Sequence, residues 1–148
     1  MNNKFVVDTS VAVKLFFAEE QHEQAVDLFY RAEENSKQLF APSLIIYELN
    51  HVLVKKSATV TEVYSALALF QGLIDEEIIE VIPHSEKIID KATEIAFLDT
   101  KGQGHISTYD ATFHALALFN EASLITADKK YYEKTKDEIG AIVLLDEL

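Results

Sequence analysis

Five short apolar runs, each followed by a turn or helix-start signal and separated by amphipathic stretches, constrain this chain more than any other feature. FVVD (5–8) is rich in β-branched residues and runs into Thr9 and Ser10, both good N-caps, so a strand is expected to pass straight into a helix. From His22 to Asn35, the residues Ala25, Leu28, Phe29 and Ala32 recur at helical spacing. QLFAP (38–42) is a strand stopped by Pro42, and Ser43 is expected to cap a helix whose apolar face carries Ile45, Ile46, Leu49, Val52 and Leu53. Thr59 and Glu62 stand three apart as in a capping box and open a helix through Val63, Ala66, Leu67, Phe70 and Leu73. IIEVI (78–82) is the third strand, closed by Pro83, with Ser85 as cap for a helix carrying Ile88, Ile89, Ala92, Ile95 and Ala96. KGQGH (101–105) holds two of the four glycines and is expected to be a loop between helices rather than a linker between domains. Ser107 and Asp110 open a helix through Ala111, Ala115 and Leu118; SLIT (123–126) is the fourth strand, a lysine-rich short helix follows Asp128, and AIVLL (141–145) is the fifth strand.

Short strands alternating with helices demand crossovers, so the expected fold is α/β: one domain over 1–148, with a parallel sheet of about five strands covered by helices on both faces. A hydrophobic content of 49% with 26% charged residues excludes disordered and fibrous classes. No apolar stretch approaches the roughly 18 residues a membrane helix needs, and the start MNNKFVVD has too short an apolar run for a secretory leader, so a cytoplasmic location is expected. The absence of cysteine excludes disulfides, thiolate metal sites and a cysteine nucleophile. Thirteen basic residues against 25 acidic ones give a net charge of −12, with Arg31 the single arginine. Such a field repels polyanions at long range, which argues against a nucleic-acid coat and favours basic partners and divalent cations.

Sites in sheets of this kind form beyond the carboxyl ends of the strands. Asp8 ends the first strand, Asp128 follows SLIT by two residues, Asp110 lies in the first turn of the helix before SLIT, and Glu48 interrupts the otherwise apolar stretch LIIYELNHVL. Singly, each has an ordinary structural explanation: strand-end turns for Asp8 and Asp128, a helix-dipole carboxylate for Asp110, a solvated helix position for Glu48. Together, four acids from four distant segments map toward one sheet edge, where like charges would raise one another's pKa unless a cation neutralised them. Mg2+ or Mn2+ suits all-oxygen ligation, activates water and steadies phosphate charge, which points to phosphodiester hydrolysis. A phosphatase with an aspartyl nucleophile would want a second aspartate two residues after Asp8, where Ser10 stands, and a phosphoacceptor receiver domain would want an acidic pair at the first strand.

Three stretches, FVVDTSVAVKLFFAEE, LIIYELNHVLVKK and STYDATFHALALFNEASLITADKKYYEK, resemble in order and spacing the three motif regions of PIN-domain ribonucleases, above all the VapC-type toxins of toxin–antitoxin pairs. The resemblance covers nearly the whole chain. It implies that Asp8, Glu48, Asp110 and Asp128 are the catalytic and metal-binding acids, that Ser10 and Thr126 support the first and last of them, and that the reaction is Mg2+- or Mn2+-dependent cleavage of RNA. It also implies a homodimer and a small antitoxin with a basic tail, seated on apolar helix faces near Phe16, Phe17 and the Val63 to Leu73 segment.

The acidity departs from the arginine-rich members of that family, so RNA contact is expected to fall to Lys14, Lys55, Lys56, Lys129 and Lys130, which are otherwise solvated helix ends. His105 and His114 lie near the motifs but are read as surface or core residues. Phe16, Phe17, Phe29, Tyr30, Phe113 and Phe119 fall at helical spacing and are read as core or dimer contacts rather than base-stacking platforms. The rival function class is a PIN-fold binding or scaffold module without catalysis, which measured metal-dependent cleavage separates from the enzyme.

Overall fold

The computed structural model describes residues 3–148; Met1 and Asn2, which open the MNNK start, lie outside them. The strands are β1 (Lys4–Val7), β2 (Gln38–Pro42), β3 (Ile79–Ile82), β4 (Ser123–Thr126) and β5 (Ile142–Leu144). The helices are α1 (Thr9–Ala12), α2 (His22–Glu33), α3 (Leu44–Lys56), α4 (Val60–Asp75), α5 (Glu86–Ala96), α6 (Thr108–Phe119) and α7 (Lys129–Thr135). All strand pairs are parallel and the order is β3-β2-β1-β4-β5. Phe5, Val6 and Val7 are all buried, and since successive strand side chains point to opposite faces, both faces of β1 are covered. In register, Val6 stands opposite Phe40 of β2 and Leu124 of β4, so these three strands end at nearly the same level. Among the described residues no helix is long and apolar enough to cross a membrane.

α6 packs against β1, β2 and β4 as well as α5, and its face of Ala111, Phe113, Ala115, Leu116 and Ala117 is fully buried. The small alanines let the helix lie close on the sheet, which places its first turn over the carboxyl edge. Three expected caps form: the hydroxyls of Thr59, Ser85 and Ser107 accept from the backbone N–H of Glu62 (3.2 Å), Ile88 (3.3 Å) and Asp110 (3.0 Å). Gly102 (φ 86°) and Gly104 (φ 93°) adopt the left-handed backbone of the loop expected at 101–105.

Two expected caps do not form. Ser43 is itself helical (φ −56°, ψ −23°) and its side chain caps nothing, because β2 hands the chain to α3 without an extended residue between them. Thr9 and Ser10 lie inside α1, and Asp8 takes the cap position with extended backbone (φ −72°, ψ 152°). Their hydroxyls bind carboxylates instead. α1 lasts four residues before tightening into a 3-10 turn over Val13–Phe16. The last strand is shorter than AIVLL, since Ala141 takes a positive φ of 50° and Leu145 starts a 3-10 turn.

Candidate active site

The chain lays β1, β2 and β3 outward on one side, then returns to place β4 and β5 on the other side of β1. The reversal leaves a crevice at the carboxyl ends of β1 and β4, where connections diverge to opposite sides. Asp8 is the first residue past β1, its N–H still bonded to the Ile125 carbonyl at 3.0 Å. Asp128 stands two residues past β4 and caps α7, accepting from the Tyr131 N–H at 3.1 Å. Glu48 comes from the second turn of α3 and Asp110 from the first turn of α6. All four line one cleft of about 630 Å³, and no lysine or arginine is among its described lining residues.

Hydroxyl groups position these acids. Ser10 Oγ donates to Asp8 Oδ2 at 2.5 Å and Thr126 Oγ1 donates to the same oxygen at 3.0 Å. The two hydroxyls in turn accept from the backbone N–H of Ala127 and Asp128, each at 3.0 Å. The result is a closed network that fixes the end of β1 against the end of β4. Thr9 Oγ1 donates to Glu48 Oε1 at 2.8 Å, tying α1 to α3.

Burial raises the Asp8 carboxyl above its ordinary range; the bonds from Ser10 and Thr126 pull it back and the charge of Asp128 adds to the rise. Glu48 is raised by burial, opposed by the Thr9 bond, with the charges of Asp8 and Asp110 raising it further. Asp110 is pushed up to about 6, by burial first and then by Asp8 and Asp128. The acids therefore sense one another across the cleft. Among the described residues, no group of three or more acidic or histidine side chains is gathered into a ready-made ion cage. The donor set nevertheless fits a hard divalent cation: four carboxylates, mutually repelling, with no basic side chain lining their cleft.

The five lysines do not line the cleft. Lys56 pairs with Glu19 at 2.7 Å and lies 4.5 Å from the Phe17 ring centroid; Lys14 donates to the Glu20 carbonyl at 3.1 Å. Lys55 is exposed, as are Lys129 and Lys130, which directly follow Asp128. His105 is exposed and away from the cleft lining, whereas His114 is wholly buried. Of the aromatics read as core or contact residues, Phe29 and Phe113 are core, Phe16 and Phe17 are half-buried, and Tyr30 and Phe119 are exposed. Sequence reasoning assigned Thr9 only to capping and did not single out Tyr47, His51 or Tyr109, which all line the cleft. The available signal was adjacency: Thr9 follows Asp8, Tyr47 precedes Glu48, Tyr109 precedes Asp110, and His51 lies one turn beyond Glu48.

Residues 5–137 match the PIN domain family model, and the chain belongs to the PIN domain family. No curated protein sequence matches it. Among solved structures it is similar to a chain of VapBC2 from Rickettsia felis bound to a DNA fragment of its promoter, with TM-score 0.67 and 20% identity over 95% of this chain and 96% of that one. It is similar to FitAcB from Neisseria gonorrhoeae, with TM-score 0.67 and 14% identity over 97% and 99%. It is also similar to VapC20 from Mycobacterium tuberculosis, a toxin that cleaves the sarcin–ricin loop, with TM-score 0.63 and 19% identity over 84% and 89%. At these identities the likenesses establish the shared fold.

Proposed function

We propose that this PIN-domain protein is a Mg2+- or Mn2+-dependent endoribonuclease and the VapC-type toxin of a toxin–antitoxin pair, acting in the cytoplasm as a homodimer. The observation that carries this reading is the convergence of Asp8, Glu48, Asp110 and Asp128 from four separate segments on one cleft at the carboxyl edge of the sheet. The similar structures support the toxin assignment, since they include VapBC structures and a toxin described as cleaving the sarcin–ricin loop.

Asp8, Glu48, Asp110 and Asp128 would hold the ion, which when bound supplies a Lewis acid for phosphate charge and lowers the pKa of water. The chain's own residues provide placement. Ser10 and Thr126 hold Asp8 by one oxygen, leaving the other for ligation, and Thr9 does the same for Glu48. Lys129 and Lys130, exposed and directly following Asp128 in the chain, would meet an RNA backbone, together with Lys14, Lys55 and Lys56. The partner is a small antitoxin with a basic tail, which the net charge of −12 favours.

The test is cleavage by the purified protein with Mg2+ or Mn2+, stopped by EDTA. Asp8→Asn keeps the side-chain shape and removes the charge, and should cost at least about 10²-fold in rate, because even groups outside a metal's ligand set cost 10–100-fold. A variant cutting RNA as fast as the parent removes the assigned site.

A further inference from the structure

His114 is completely buried on α6, four residues and so about one helical turn beyond Asp110. Tyr131 is 4% exposed and lies in the first turn of α7, whose cap is Asp128. The two side chains meet behind the acidic cleft, ring centroids 5.7 Å apart, with His114 Nδ1 2.9 Å from Tyr131 Oη. His114 Nε2 lies 2.8 Å from the Gly140 carbonyl, which can only accept. Nε2 therefore carries the proton, Nδ1 accepts, and the tyrosine hydroxyl donates to it. Burial lowers the His114 pKa, which keeps this neutral tautomer. Tyr131 is held at its other end as well: its own backbone N–H donates to Asp128 Oδ1 at 3.1 Å. One residue thus grips the carboxylate of Asp128 by its main chain and the helix of Asp110 by its side chain.

We propose that the His114–Tyr131 hydrogen bond is a positioning clamp between α6 and α7 that sets the separation of the Asp110 and Asp128 carboxylates. The bond joins side chain to side chain two helices that flank β4 in the chain, α6 before it and α7 after it. Neither side chain lines the cleft, so both act through the acids and not on a substrate. The consequence for metal binding rests on the function proposed above; the clamp between helices does not.

The test separates positioning from simple core stability. Tyr131→Phe removes one hydroxyl and strands a buried acceptor, so it should lower the melting temperature. The double change His114→Leu with Tyr131→Phe removes both partners of that bond and leaves only the half-buried Gly140 carbonyl to be met by solvent, so it should recover part of the melting temperature. If the bond is a clamp, the double variant still shows faster hydrogen exchange at the first-turn amides of α7 in metal-free protein. It also binds Mn2+ about tenfold more weakly by calorimetric titration, the low end expected for groups that orient ligands. Parental exchange rates there in the double variant overturn the clamp. Accelerated exchange with no Mn2+ binding by the parent would leave the clamp standing and remove the metal reading. Accelerated exchange with unchanged Mn2+ affinity would overturn the claim that it sets the carboxylate separation.

Discussion

Asp110→Asn should stabilise the metal-free protein, and by an amount that depends on pH in a defined direction. The Asp110 carboxyl titrates near 6 in the folded chain against 3.8 for an unperturbed aspartate, so the folded state holds its proton more tightly than the unfolded state. Stability contributed by the protonated form is present below about pH 4 and is lost as pH rises through 6. At full burial that shift corresponds to about 3 kcal/mol; in a cleft that admits water, screening reduces it to about 1–2 kcal/mol. Asparagine cannot ionise and escapes the loss. Urea unfolding in EDTA should therefore give equal stability for parent and variant near pH 4, and an advantage for the variant that grows through pH 5 and 6 and levels off above 7. The plateau corresponds to a rise in melting temperature of about 2–8 °C for a domain of this size. Saturating Mg2+ should erase or reverse the advantage, because the ion stabilises only the form that binds it. A stability difference that does not change between pH 4.5 and 7.5, or a variant less stable than the parent at pH 7.5 in EDTA, refutes a carboxyl raised at Asp110 by burial and by the charges of Asp8 and Asp128.

Thr9→Val removes the bond that lowers the Glu48 carboxyl, so that group should titrate still higher and Mn2+ affinity should fall about tenfold, more at pH 6 than at pH 8; equal dissociation constants for parent and variant at both pH values, by calorimetric titration, count against it. Changing Lys129 and Lys130 together to glutamine should reduce the slope of log affinity against log salt for single-stranded RNA by about 1.4 while leaving Mn2+ binding intact. An unchanged slope returns both lysines to solvated surface. An antitoxin helix seated near Phe16, Phe17 and the Val63 to Leu73 segment should copurify with the chain when its neighbouring gene is coexpressed, and Leu69→Glu, at an exposed position of that segment, should release it. If a basic tail reaches the four acids, inhibition should also weaken as Mn2+ rises, whereas metal-independent inhibition would remove that tail from the cleft.

The centre of the sheet was legible because β1 and β4 are buried on both faces. FVV in β1 and the Leu124–Ile125 pair in β4 read as apolar runs, the pattern that parallel pairing under helices imposes. The order β3-β2-β1-β4-β5 was not legible from the residues, since nothing in a run of valines states which neighbour it pairs with. Helix starts at Thr59, Ser85 and Ser107 were read correctly because their hydroxyls have no better acceptor or donor nearby than the helix's own first turn. His114 was read as a surface or core residue and is core, but its partners lie 17 and 26 residues away in Tyr131 and Gly140, beyond any local pattern.

Thr9 and Ser10 were misread for a reason that bears on the cleft itself. A hydroxyl after a strand is a good cap in the absence of competition, yet a carboxylate is a stronger acceptor for its proton than any group the helix start offers. Here three hydroxyls, on Thr9, Ser10 and Thr126, donate to two half-buried carboxylates, and α1 goes without a side-chain cap and lasts one turn. Local helix propensity has yielded to the orientation of acids that burial and mutual charge oppose. A chain selected only to fold would gain from the reverse arrangement, with capped helices and fewer facing carboxylates. At the ends of β1 and β2 local preference is set aside where Asp8 and Glu48 face the cleft, which supports the proposed site on geometry rather than on any resemblance.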